Sequence, residues 1–154
     1  MNKSDIEVQV QIPAGEYWLS DPCYTIKDED WIPWLEACNY TEEDNLVGKI
    51  PGTDFHAVGF RTAWGDGVYP LQKLEYKNYS STEDWKDVAE LGVDAGMIGF
   101  VPCEYGGEDS LYVHKITFDS LTSVTWREGN ISWRNSSGEK FRVVTDGSDE
   151  DGEY

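Results

Sequence analysis

A cysteine placed directly after Asp-Pro, in WLSDPCYTI at residues 18–26, is the residue of this chain whose neighbours best suit it for chemistry. Asp at a capping position with Pro next to it describes the start of a helical turn. Cys23 would then lie near unpaired backbone N–H groups and the positive end of a short dipole, a setting that lowers a thiol's pKa. A cysteine nucleophile also needs a base, and the chain offers His56 in DFHAVGF and His114 in LYVHKITF. Both lie in alternating segments, His56 in phase with Val58 and Phe60 and His114 with Tyr112 and Ile116, so both are expected to face the core. A hydrolase using Cys23 with His56 or His114 is the enzymatic alternative. The preferred expectation is an unreactive, mostly buried Cys23 in a capped turn.

Other chemistry has less vocabulary here. The three cysteines, Cys23, Cys38 and Cys103, contain no Cys-x-x-Cys pair, and the close ligand pairs of a zinc site are missing. The acidic runs KDEDW, EEDN and SDEDGEY lack the Gly and distal Glu of a calcium loop. There is no Gly-x-Ser-x-Gly and no phosphate-binding glycine loop followed by Lys-Ser/Thr. The expectation is therefore no metal and no cofactor, with the balance against an enzyme and the Cys23 hydrolase kept as its alternative.

Two further segments suit binding. In AWGDGVYPL, Trp64 and Tyr69 flank a glycine-rich turn around Asp66, where accessible amides and aromatic rings could hold a planar ligand; its plain structural alternative is a hairpin. In GVDAGMIGF, three glycines interrupt an apolar run, which is poor strand composition unless Trp64, another ring or a ligand approaches the backbone. Asp94 in that run is expected either to bond backbone or to belong to a site.

The ordered set SDPCYTI, AWGDGVYPL and GVDAGMIGFVP resembles a pattern in small bacterial and phage proteins of uncharacterised function, which share a DPCY turn, a GDGxY turn and a VDxGxIG strand. The resemblance spans about residues 15–103. It implies that Asp21, Cys23, Asp66 and Asp94 gather at one place, and it transfers no activity. With Tyr24, Trp64 and Tyr69 these residues form the expected ligand-binding set.

The elements that would position them read as β-rich. Residues 6–12, IEVQVQI, alternate as a half-buried strand, and after Pro13-Ala14-Gly15 the segment EYWLS returns, which predicts a hairpin. KDEDWIPWLEACNY predicts a short helix capped by Asp28 or Asp30, with Pro33 in its first turn. Residues 41–54 read as a loop, FHAVGFRTAW and VYPLQ as a strand pair around the Gly-Asp-Gly turn, and YSSTEDWKDVAEL as a second short helix. VDAGMIGFVP, LYVHKITF, SVTWRE, ISWR and KFRVVTD complete the strands. The fold class expected is α+β, a mostly antiparallel curled sheet or small barrel with one or two short helices, in one domain over residues 1–145 followed by an acidic, disordered tail at 146–154.

Charge narrows the partners. The formal net charge is -18, with 30 acids against 12 bases. Such a field disfavours direct nucleic-acid or anionic-membrane binding and favours basic partners. No leader and no apolar span is legible in the sequence, so a cytoplasmic location is expected. The function expected is non-enzymatic binding of a host protein or small-molecule ligand, as a phage-type accessory or inhibitor would do. A DNA-mimic inhibitor of a nucleic-acid-binding protein is the other alternative, and oligomeric state is not legible.

Overall fold

The computed structural model describes residues 7–76, 83–108 and 110–146. The strands are β1 (Glu7–Ile12), β2 (Gly15–Ser20), β3 (Asn45–Lys49), β4 (His56–Arg61), β5 (Gly67–Tyr76), β6 (Glu83–Val93), β7 (Met97–Pro102), β8 (His114–Phe118), β9 (Thr122–Arg127), β10 (Asn130–Arg134) and β11 (Lys140–Val143). A 3₁₀ turn at Pro22–Tyr24 and one helix, α1 (Asp28–Ala37), complete the described elements. The strands form two antiparallel sheets, ordered β1-β9-β10-β11-β5-β6 and β3-β4-β7-β2-β8. Both sheets end in open edges, so the expected small barrel is replaced by two facing sheets. No helix among the described residues is long and apolar enough to cross a membrane. Most of the acidic tail, residues 147–154, lies outside the described residues.

The chain changes sheet at several tight connections, which overturns two expected hairpins. β1 ends at Ile12 opposite Thr122 of β9, whereas β2 lies between β7 and β8, with Leu19 opposite both Phe100 and His114. Pro13 cannot donate to a ladder, and its carbonyl instead accepts the Tyr17 hydroxyl at 2.8 Å. Likewise β4 pairs with β3 and β7, while β5, beyond Gly65-Asp66-Gly67, pairs with β6 and β11. Each crossing lets apolar alternation on both strands point into one shared core. Ile12, Leu19, Phe60, Leu71, Leu91, Phe100, Phe118, Val124 and Val143 meet there from both sheets.

A second cluster covers the outer face of the smaller sheet. Trp34, Leu35 and Cys38 of the helical segment pack on Leu46, Ala57 and Val101, which is why β4 is buried on both faces from Ala57 to Phe60. At the helix start Lys27 occupies the cap with no side-chain bond, and Asp28, Glu29 and Asp30 fill the first turn. Those acids interact favourably with the helix dipole rather than capping it, as had been expected. The Tyr105 hydroxyl accepts the Lys27 N–H at 3.0 Å and donates to Asp30 at 2.7 Å, closing this end. Pro33 stands past the first turn, inside the helix.

Three more expectations are corrected. The stretch 41–54 contains β3. The second predicted helix is strand where it is described, paired with β5 from Gly67↔Val93 to Tyr76↔Glu83 with a bulge that leaves Val88 unpaired. The extra residue reverses the phase of alternation, so Trp85, Val88, Ala89 and Leu91 fall at helix-like spacing in an extended chain. VDAGMIGFVP is no single strand: residues 94–96 are a turn between β6 and β7.

Candidate functional site

The DPCY and VDAG segments do meet, and Asp21 joins them. It follows β2 and is fully buried, at 0% exposure. One carboxylate oxygen accepts the Cys23 N–H at 3.0 Å, capping the 3₁₀ turn as the sequence implied. The other accepts the Asp94 N–H at 3.0 Å and the Ala95 N–H at 2.6 Å. The Asp21 N–H donates to Gly92 O at 3.0 Å. A strand end of one sheet is thereby tied to the β6–β7 turn that leaves the other. Burial raises the Asp21 carboxyl above its ordinary range, and the N–H bonds pull it part of the way back.

Cys23 is partly buried. Its thiol is pushed up to about 12, first by burial and then by the charges of Asp21 and Asp94. The two carboxylates outweigh the short 3₁₀ turn, so the sulfur stays a thiol at neutral pH. Tyr24 is 42% exposed, and its hydroxyl is raised to about 12, chiefly by burial and by the Asp94 carboxylate beside it. The glycine-rich run has its close neighbour here: a Cβ at Gly92 would lie 2.9 Å from the Tyr24 ring. Gly96 takes a φ of +78° in the turn, a region glycine enters readily.

The Gly-Asp-Gly corner abuts the same turn. The Thr62 N–H donates to Gly96 O at 3.0 Å and its hydroxyl to Gly65 O at 2.9 Å. The Ala63 N–H donates to Thr145 Oγ1 at 2.9 Å. Tyr69 is a core residue whose hydroxyl donates to Gly65 O at 3.0 Å, whereas Trp64 is 66% exposed and Asp66 is exposed. Asp21, Cys23, Tyr24 and Asp94 therefore cluster, with the 62–67 corner adjoining through Gly96, and Tyr69 is withdrawn from any stacking role beside Trp64. Much of this corner's polar capacity is spent on its own backbone.

His56 is exposed at the start of β4 opposite Lys49, not in the core, and His114 is half-buried opposite Leu19. Among the described residues no three His, Cys, Asp or Glu side chains are placed to hold a metal ion.

His56 belongs instead to a cleft that the sequence did not reveal, at the other end of β2. Its volume is about 450 Å³. Ile12, Tyr17, Val58 and Phe100 form its apolar floor, and Glu16, Asp54, Glu104 and His56 stand among its walls. The cleft exists because β1 and β2 part at Pro13 for different sheets, opening the gap that a hairpin would have closed. Exposed lysines approach two of the acids, Lys115 to Glu16 at 3.6 Å and Lys49 to Asp54 at 3.7 Å, contacts that are weak in solvent. Comparison with protein-family models, curated proteins and solved structures finds no match to the chain.

Proposed function

We propose that the chain is a non-enzymatic binding domain whose cleft at the Pro13 end takes a ligand with an apolar body and a positively charged group. The supporting observation is the cleft itself: an apolar floor reaching the core, walled by three carboxylates, is the combination expected of a site that buries a ligand and fixes its orientation. The ligand is either a free small molecule or a basic-apolar side chain presented by a host protein. The second form suits the accessory or inhibitor role suggested by the resemblance to phage proteins.

A hydrolase built on Cys23 has little support, since burial and two nearby carboxylates hold the thiol protonated. DNA mimicry would require ordered acidic rows, and the outer face of the larger sheet carries Arg134, Lys140 and Arg142 instead. The test is NMR titration with octylammonium and octanoate. Octylammonium should shift Val47, Phe55, Val58 and Phe100 and bind more tightly than octanoate, and Glu104→Lys should reverse that order. Equal binding of the two probes, or unmoved cleft signals, would remove the proposal.

A further inference from the structure

The larger sheet turns one polar face outward, and its register sets side chains in rows. One row runs Gln9, Thr125, Ser132, Arg142, Gln72 and Asp87 across six strands. Next to it Arg134 of β10 stands directly opposite Lys140 of β11. Like charges in that position repel and weaken a ladder. Arg142, two residues along β11 from Lys140, shares its face.

These three cations line a groove of about 570 Å³ with Trp85, Gln9 and the hydroxyls of Ser123, Thr125 and Ser132, and among the described residues no carboxylate lines it. That composition stands out in a chain of 30 acids and 12 bases. Arg142 is held in place: its Nε donates to Gln72 Oε1 at 2.8 Å, Gln72 donates to Asp87 at 2.9 Å, and the guanidinium lies 4.0 Å from the Trp85 ring centroid. Among the described residues Arg134 and Lys140 form no ion pair.

We propose that this groove is a binding site for a phosphate monoester, whose dianionic head sits between Arg134 and Lys140 with Arg142 and the serine and threonine hydroxyls as further donors. A compact dianion suits it because two cations stand directly opposite each other across one strand pair, and phosphate oxygens match a guanidinium fork beside a lysine point charge. An extended polyanion fits less well: the first row ends at Asp87, and beyond about 8 Å, the screening length at physiological salt, it would gain little from the patch and would run over acidic surface. The site is separate from the Pro13 cleft and does not depend on the function proposed for it.

The experiment titrates phenyl phosphate, inorganic phosphate, an Asp/Glu hexapeptide and a single-stranded oligonucleotide into the protein at low salt, read by amide NMR shifts. Phenyl phosphate should shift residues 123, 125, 132, 134, 140 and 142 and bind most tightly of the four. Arg134→Gln and Lys140→Gln should each weaken it about fivefold to tenfold, as expected for loss of one charge-assisted bond. Lys49→Gln, the same charge change elsewhere, should have less than about a twofold effect. Equal losses in all three variants would reduce the effect to bulk charge and overturn the proposal. Tighter binding of the hexapeptide or oligonucleotide, or no shift at these residues, would also overturn it.

Discussion

Replacing Asp21 with Ala should test the joint between the two sheets more directly than any other change. The substitution removes acceptors from three backbone N–H groups, those of Cys23, Asp94 and Ala95. A hydrogen bond to a charged group contributes about 1.5–3 kcal/mol, but three such values do not simply add here. Asp94 and Ala95 are exposed, so water can take up their N–H groups after the change, whereas Cys23 is half-buried. Removing a desolvated carboxylate also returns part of the loss, as the raised pKa of Asp21 indicates. The net destabilisation should be about 3 kcal/mol, against a domain stability of about 5–15 kcal/mol. Urea unfolding followed by tryptophan fluorescence should place the midpoint lower with an unchanged slope. Melting should fall by about 10 °C at the usual scaling for a domain of this size. Asp21→Asn, which keeps one carbonyl oxygen for the Asp94–Ala95 pair, should lose about half as much. A loss under about 1 kcal/mol in the Ala variant would mean that the joint contributes no more than an ordinary surface turn.

Because burial raises the Asp21 carboxyl above its ordinary value of 3.8, the stability linked to its protonated form is complete below the unfolded pKa and is lost as pH climbs through the folded one. The margin of the parent chain over Asp21→Asn should thus be wider at about pH 3 than at about pH 7 by urea titration, and the opposite trend would reject the direction of the shift. With its thiol raised to about 12, native Cys23 should be alkylated by iodoacetamide about a thousandfold more slowly at pH 8 than in the unfolded chain. Rapid selective labelling, read by mass spectrometry, would restore it as a nucleophile. Gly59→Ala would place a Cβ 2.5 Å from the Met97 sulfur and 3.4 Å from the Trp34 ring, and should cost about 1–2 kcal/mol by urea unfolding. The loss should shrink in a Met97→Ala background, and an equal loss in both would place the strain elsewhere.

Strands such as 7–12 were legible because one buried face imposes strict alternation on residues like Val8, Val10 and Ile12. Their partners were not. Pro13-Ala14-Gly15 and Gly65-Asp66-Gly67 mark tight turns, yet a tight turn fits a return to the same sheet and a step to the facing one equally well. The helix expected over 79–91, which is strand where it is described from Glu83, traces to one unpaired residue, Val88, since a bulge changes phase without any local composition cue. The cap role of Asp21 could be read from its neighbours in the chain, but its bonds to Asp94 and Ala95 could not. The Pro13 cleft was invisible for a related reason: it arises where β1 and β2 diverge, and no short motif encodes a divergence.

The sheet changes also constrain how the chain is made. Gln11 of β1 reaches its ladder neighbour Ser123 only across most of the chain, and Leu19 of β2 must wait for Phe100 and His114. During synthesis from the N-terminus, the first two strands emerge long before the surfaces that cover them, and they cannot settle by pairing with each other. Early folding must rest on the hairpins that emerge first, β3–β4 and β5–β6, with β1 docking only after β9 exists to pair it. A ribosome-bound chain stopped before β7 would therefore expose the apolar faces of β1 and β2, and chaperone demand should fall sharply once β11, which links β1–β9–β10 to β5, has cleared the exit tunnel.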